Sequence, residues 1–356
     1  MSNFSDQKYD YAVIIGRFNP AHLGHQELIE ESFKIAKNTI ILIGSCFKPR
    51  DIKNPFTGHE RADMISSMFP KVFGTSRNNH IYYDFLQDYV YNDQKWVMQV
   101  QSKVDKIIEF KGKDPDKVSI CILGGKKDDS SYYLDMFPQW DLVEYKFVND
   151  PILSATDIRE KLFTCQTNEH DRYIKPFLNP SVYNYIEERF KTDWFKNLIL
   201  EFDHIKRYKE AWSKAPYAPT FITTDNVVIC SGHILMIERR SAPGRGTKAL
   251  PGGFLDQNER ILDGAIRELR EETKLKVPEP VLRGSIKKQQ IFDHPTRSMR
   301  GRTVTVAFLI DLGNGELPRV KGGDDAKSAF WVPLNDVKPE HCFEDHYDII
   351  SEMVGI

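Results

Sequence analysis

The sequence lacks a long apolar run: nowhere in its 356 residues does it approach the roughly 20 consecutive apolar residues that span a bilayer. Its start, MSNFSDQKYDYAVIIGRF, also lacks the basic-then-apolar layout of a secretory leader. A soluble cytosolic protein without a membrane partner is the expectation. Cysteine is sparse: Cys46, Cys121, Cys165, Cys230 and Cys342 are odd in number, widely spaced and never in a CxxC pair. That excludes a disulfide framework or zinc knuckle and predicts reduced thiols. Charge of neither sign dominates, with 49 Lys and Arg against 51 Asp and Glu and a net charge of −2. Without a basic surplus no nucleic-acid partner is expected, and an anionic ligand must be held by a few placed groups. There is no internal repeat or low-complexity tract. What remains is an ordinary core-forming composition, 40% hydrophobic and 28% charged, in a chain longer than the roughly 250 to 300 residues at which single cores stop growing. Two domains are therefore expected.

The first half alternates strand-like and helix-like segments, the pattern of a parallel sheet with helices on its faces. Tyr11–Ile15 is a short apolar strand ending at Gly16; Leu28, Ile29, Phe33 and Ala36 recur at helical spacing; Thr39–Ile43 is the next buried strand. Val118–Leu123 and Leu142–Val148 continue the series. From about Pro180 to Trp212 the chain turns helical and charged, then meets SKAPYAPT, whose two prolines disfavour helix. The predicted organisation is a first domain over 1–185, a helical linker over 186–215 and a second domain over 216–356. In the second, antiparallel strands are expected at Phe221–Cys230 and His233–Arg239 around a Ser231-Gly232 turn, with further strands at Thr303–Asp311 and Ala329–Val332. One strong helix, Asn258–Thr273, interrupts them.

The segment Gly16-Arg17-Phe18-Asn19-Pro20-Ala21-His22-Leu23-Gly24-His25 lies between the first strand and the first helix, where open parallel sheets bind ligands. His22 and His25 can face one side, free N–H groups and the helix dipole favour phosphate oxygens, and Gly24 permits close approach. In isolation, two surface histidines would be the simpler reading. The segment, however, resembles the HxGH signature of the nucleotidylyltransferase superfamily, and GRFNPAHLGH is near the archaeal type of nicotinamide mononucleotide (NMN) adenylyltransferase. Three further stretches match in order. Lys53 to Arg61 resembles the NPFT…ER segment; Gln87-Asp88 through Asn92 and Trp96 resembles the nicotinamide pocket; Ser154-Ala155-Thr156-Asp157-Ile158-Arg159 resembles SxTxxR. The resemblance covers roughly residues 9 to 185. It implies a Rossmann-like doubly wound parallel sheet and transfer of AMP from ATP to NMN, giving NAD and pyrophosphate. It further implies His22, His25 and Arg159 as catalytic residues, with Arg17, Gly24, Lys53, Asn92, Trp96, Gly124, Ser154 and Thr156 binding substrate and Mg²⁺ bridging phosphates. Lys53 stands where an arginine is expected, and a lysine loses the bidentate fork. Gly124-Gly125 is equally readable as turn chemistry.

The strongest motif lies further on. Gly253, Glu259, Arg267, Glu268, Leu269, Arg270, Glu271 and Glu272 match the Nudix box in spacing, and the match runs to Leu275 except at Lys274, where the family has glycine. On a helix Glu268, Glu271 and Glu272 share one face, while Ile261, Leu262, Ala265, Ile266 and Leu269 form an adjoining apolar stripe. Converging like charges destabilise a helix unless a cation neutralises them. The resemblance implies an α/β/α Nudix fold with a mixed sheet. Glu268, Glu271 and Glu272 would bind Mg²⁺ or Mn²⁺ with the Gly252 carbonyl as a further ligand, and Arg267 would orient Glu268. Lys274 must then tolerate a left-handed backbone or a rearranged helix end, at roughly 1 kcal/mol.

Asp293 to Arg302 resembles a loop of ADP-ribose-type Nudix proteins and of related NAD-metabolism regulators, so Arg297, Arg300 and Arg302 are candidate diphosphate ligands; a solvated hairpin edge is the alternative. The overall expectation is a bifunctional enzyme whose second half hydrolyses ADP-ribose to AMP and ribose 5-phosphate, with ATP, NMN, NAD and ADP-ribose as ligands. For the first half the rival is another cytidylyl- or adenylyltransferase. For the second the rivals are another nucleoside diphosphate derivative as substrate or a ligand-sensing regulatory module. Asp324 or Asp325 is the candidate hydrolytic base, with nicotinic acid mononucleotide as the alternative acceptor and a homo-oligomer as a candidate assembly.

Overall fold

A computed structural model describes residues 7–70, 80–125, 129–146, 154–165, 169–323 and 325–355. The chain divides into two compact units, Met1–Ile199 and Leu200–Ile356.

In the first unit β1 (Tyr9–Gly16), α1 (Leu23–Ile35), β2 (Ala36–Ile43), α2 (Gly58–Met68), β3 (His80–Phe85), α3 (Asp93–Phe110), β4 (Ile120–Gly124) and β5 (Asp141–Glu144) build one parallel sheet of order β3-β2-β1-β4-β5. The order reverses direction at β1, as in doubly wound folds. Ala12, Val13 and Ile14 are fully buried, as a central strand covered on both faces requires. Ala36, expected on the helix, instead opens β2 directly after α1 and pairs with Tyr9; its burial serves the sheet. Residues 147 and 148 of the expected Leu142–Val148 strand lie outside the described residues. α4 (Ala155–Thr164), the short α5 (His170–Tyr173) and α6 (Pro180–Arg189) follow, and α7 (Asp193–Trp212) carries the chain across the dividing point.

The second unit contains β6 (Phe221–Cys230), β7 (His233–Arg239), β8 (Lys248–Ala249), β9 (Gly252–Phe254), α8 (Ile261–Thr273), α9 (Glu279–Gly284), β10 (Ile286–Phe292), β11 (Thr303–Asp311), β12 (Ala326–Pro333) and α10 (His346–Val354). Its main path is β10-β11-β6-β7-β12, with β8 on β7 and β9 on β6. The β6–β11 pair is parallel and its neighbours are antiparallel, so the sheet is mixed. Ser231 and Gly232 have φ of 48° and 71°, the left-handed pair that a two-residue hairpin demands. Ala265, Ile266 and Leu269 of α8 pack on Val228, Leu235, Val306 and Phe308. Asn226 Nδ2 donates to the carbonyls of Pro251 (3.1 Å) and Ala265 (2.9 Å), fixing the helix against the turn before β9. Lys274 ends α8 in the left-handed region, φ 48° and ψ 30°. The loop beyond β11 satisfies the helix end, with Lys321 N–H on Thr273 O and Gly323 N–H on Glu272 O.

Two candidate active sites

At the carboxyl end of β1, Asn19 is fully buried and pairs with Phe56, its Nδ2 donating to Phe56 O (3.1 Å) and its Oδ1 accepting from Phe56 N–H (3.2 Å). This joins the HxGH loop to the loop carrying Lys53. His22 precedes α1, its N–H donates to His25 Nδ1 (3.2 Å), and the two rings lie 3.7 Å apart. Arg159 Nη1 donates to Asn19 O (2.6 Å) and Nη2 to Thr156 Oγ1 (2.9 Å). Burial, with Arg17 nearby, pulls its pKa down to about 10, so it remains a cation at neutral pH. Arg17, His22, His25, Thr156 and Arg159 are thus gathered at one loop. Gly24 is buried in the first turn of α1.

Arg61 was legible only as the last letter of a motif, yet it ties this end of the sheet together. Fully buried, it donates to the carbonyls of Arg17 (2.5 Å), Gly44 (2.7 Å), Ser45 (3.0 Å) and Thr57 (3.2 Å). The other expected residues have visible structural employment. Asn92 caps α3 by accepting from Lys95 N–H, and Ser154 caps α4 by a reciprocal pair with Asp157. Trp96 sits 6.0 Å from the ring of Tyr133, whose hydroxyl donates to Ile15 O at the end of β1. The backbone of Lys53 is held by Asp51 Oδ1. Gly124 ends β4, and a Cβ there would meet Leu134 at 2.8 Å; close packing accounts for that glycine without a ligand.

In the second unit a cavity of about 470 Å³ opens over β6, β7, β9 and α8. Arg267 holds the acidic helix face. Its Nε and Nη2 fork Glu259 (3.0 and 2.6 Å), Nη1 reaches Glu268 Oε1 (2.9 Å) and Glu271 Oε2 (3.1 Å), and Nη2 also donates to Phe254 O (3.3 Å). Glu272 is buried and accepts from Gly252 N–H (2.9 Å). Burial, with Glu268 and Asp225 close by, pushes its carboxyl up to about 8. A Cβ on Gly252 would fall 2.0 Å from the backbone oxygen of Thr224, so that position requires glycine, and one on Gly253 would fall 2.5 Å from Glu268 Oε1 and displace that carboxylate.

As to metal, the donors are the hard oxygens that divalent cations prefer, and an acid forced toward its neutral form gains from a cation. In their present rotamers Glu268 and Glu271 lie on Arg267, and no three acidic, histidine or cysteine side chains among the described residues form a ready cluster. The donor set therefore fits in kind, with binding requiring those two carboxylates to turn from the arginine.

The three arginines of the Asp293–Arg302 segment have separate fates. Arg297 is buried and forks Asp345 (2.9 and 3.0 Å), a structural pair rather than an open ligand site. Arg300 lines the cavity and lies over the Phe254 ring at 4.8 Å. Arg302 pairs with Asp293 and does not line the cavity. Asp324 lies outside the described residues, while Asp325 is exposed at the cavity wall. Residues that no motif flagged also line it: His204 and Tyr208 of α7, Asp225, Arg239, Phe343, Glu344 and His346. Glu344 accepts from Met299 N–H (2.8 Å) and Ser298 Oγ (3.1 Å), and burial raises its pKa. Its φ of 43° is strain of the kind that collects at functional sites.

Family models match both units: a cytidylyltransferase-like model over residues 13–161 and a NUDIX domain over 221–353. A nicotinamide/nicotinic acid mononucleotide adenylyltransferase of Acinetobacter baylyi is 34% identical over 198 residues, 54% of this chain and 99% of that protein. An ADP-ribose pyrophosphatase of Methanocaldococcus jannaschii is 35% identical over 163 residues, 46% of this chain and 86% of that protein. The structure of a bifunctional NMN adenylyltransferase/ADP ribose pyrophosphatase of Francisella tularensis, complexed with AMP and a manganese ion, superposes with a TM-score of 0.87 at 34% identity, covering 98% of this chain and 99% of that one. The chain belongs to this bifunctional family. The manganese there accords with the hard carboxylate set on α8. Among the described residues no helix is long and apolar enough to cross a membrane.

Proposed function

We propose that the chain is a bifunctional enzyme of NAD metabolism, transferring AMP from ATP to NMN with release of pyrophosphate and hydrolysing ADP-ribose to AMP and ribose 5-phosphate. The observation that carries this reading is full-length similarity to the Francisella bifunctional enzyme together with two separate phosphate-adapted sites in one chain. In the first site the NMN 5′-phosphate attacks the α-phosphorus of ATP and pyrophosphate leaves, a step that needs positioning and charge stabilisation but no covalent intermediate. His22, His25 and Arg159 stabilise the developing charge. Arg17, Lys53, Gly24, Ser154 and Thr156 hold the phosphates, and Asn92 and Trp96 the nicotinamide.

In the second site Glu268, Glu271 and Glu272 hold the divalent ion, with the Gly252 carbonyl beside them, and Arg267 steers Glu268 and Glu271. The ion supplies an activated water and neutralises diphosphate charge. Mg²⁺ is proposed for both sites and Mn²⁺ as an alternative in the second. The assignment of 1–185 to the adenylyltransferase and 216–356 to the hydrolase, with 186–215 as linker, goes with this reading, as does a cytoplasmic location where ATP is at hand. The test is a product assay: ATP with NMN, nicotinic acid mononucleotide or pantetheine phosphate, and separately ADP-ribose, NADH, NAD and diadenosine polyphosphates with Mg²⁺ or Mn²⁺. NAD from NMN, and AMP from ADP-ribose, are expected. Failure of every hydrolytic substrate with both metals would replace hydrolysis by ligand sensing.

A further inference from the structure

Five arginines line the cavity of the second unit: Arg239, Arg240, Arg267, Arg297 and Arg300. Arg267 is engaged by Glu259, Glu268 and Glu271, and Arg297 by Asp345. Arg240 is exposed and donates to Ala326 O. Arg239 differs from all of these. It lies two residues beyond Ile237 on β7, and therefore on the same face of the sheet, where Ile237 packs with Ala249, Ala326 and Phe343. Its Nε donates to Pro243 O (2.9 Å) and its guanidinium lies over the Phe343 ring at 4.1 Å. Among the described residues neither Nη group has a protein hydrogen-bond acceptor or an ion-pair partner.

Stacking and a single Nε bond fix the plane of the fork while leaving its two-pronged edge open, the geometry that matches a pair of phosphate oxygens. No carboxylate among the described residues pairs directly with Arg239 in this half-enclosed site, and burial together with Arg300 draws its pKa below the usual arginine value against the weaker pull of Glu344, Glu272 and Asp325; an anionic ligand in direct contact with the fork offsets that cost. Arg300 shows the same condition independently, since its Nε is buried without a hydrogen-bond partner.

Resting on the hydrolase reading above, we propose that Arg239 is a substrate-binding residue whose two free Nη groups grip diphosphate oxygens beside Arg300, while the α8 carboxylates hold the divalent ion. Phe343 and the Pro243 carbonyl pre-orient the fork, so little rotational freedom is lost on binding.

The experiment measures kcat and KM for ADP-ribose with Mn²⁺, and AMP binding by calorimetry, on the full chain and on R239M, R239K and K327M. Lys327 is exposed on β12 and paired with Glu238 outside the cavity. R239M keeps an apolar contact for Phe343 and loses the charge; kcat/KM is expected to fall about 100-fold, mainly through KM, with AMP binding weakened in parallel. R239K restores only part of this, because an ammonium lacks the fork. K327M, which removes one charge from the same sheet, stays within about twofold. An R239M or R239K protein with the wild-type melting temperature and wild-type KM overturns the proposal, as does an equal loss in K327M, which would mean a general field. If R239M does not fold, R239K alone decides. A wild-type chain that neither hydrolyses nor binds ADP-ribose overturns the hydrolase reading itself, an outcome distinct from normal hydrolysis that ignores residue 239.

Discussion

In the first unit the groups proposed to meet phosphate directly are imidazoles and cations, Arg159 among them set by a main-chain carbonyl, whereas in the second the proposed contact runs through a metal ion on carboxylates that an arginine sets, with Arg239 and Arg300 beside it. Arg61 and Arg159 both spend donors on backbone oxygens at the end of β1, so that site has its shape and its positive charge before any ligand arrives. The acidic face of α8 is the reverse: Arg267 occupies Glu259, Glu268 and Glu271 at once, and Glu272 is driven toward its neutral form. Two solutions to one problem, binding a polyanion, thus differ in when the charge is balanced. One is balanced by the fold, the other by an ion that comes later.

The largest expected effect tests the second solution. Glu272→Gln removes a buried ligand charge and is expected to cut ADP-ribose hydrolysis by about 10³-fold, while NAD formation by the same sample persists. A loss of both activities would break the separation. His25→Ala probes the other side, with adenylyl transfer reduced roughly 10²- to 10³-fold and hydrolysis retained; unchanged turnover would remove His25 from the mechanism.

Arg61→Met asks whether the first site is held by its backbone bonds. Stripping a buried guanidinium from four carbonyls is expected to cost about 3 kcal/mol of stability, read as a lower denaturant midpoint. It should also raise the KM for ATP more than it lowers kcat, because the phosphate loop is displaced and no reacting group is lost. A destabilised variant with unaltered KM would reduce Arg61 to packing alone.

The smallest effect is a pH dependence. The folded chain keeps a proton on Glu272 up to about pH 8, whereas the unfolded chain loses it near the ordinary carboxylate value. The metal-free protein should therefore lose stability as pH rises through that window. Mn²⁺ should restore most of it at the upper end. Equal melting temperatures in chelator at about pH 6 and pH 8 would show that this carboxyl is less confined than its surroundings indicate.

The sequence made some of this legible and hid the rest for a physical reason. α8 was readable because its carboxylates recur at i, i+3 and i+4 on one helix, and of the two helix ends open to Lys274, a left-handed residue or a rearrangement, the structure has the first. The HxGH segment was readable because strand, loop and helix are contiguous. Arg61, Arg239 and Arg297 were not, since their partners lie far along the chain: Arg61 reaches Arg17 and Gly44, Arg239 reaches Phe343, and Arg297 reaches Asp345. The loop's resemblance made Arg297, Arg300 and Arg302 candidates for one job, with a solvated hairpin edge as the alternative, and only tertiary packing separates a buried strut, a cavity wall and a surface pair.

α7 passes the point at which the chain divides, and its second half lends His204 and Tyr208 to the hydrolase cavity. A hydrolase excised at residue 216 would therefore start downstream of two of its own walls. The lead-in helix is in that sense inherited property of the second enzyme, and any recombination that shuffles the two activities as modules must carry the helix along.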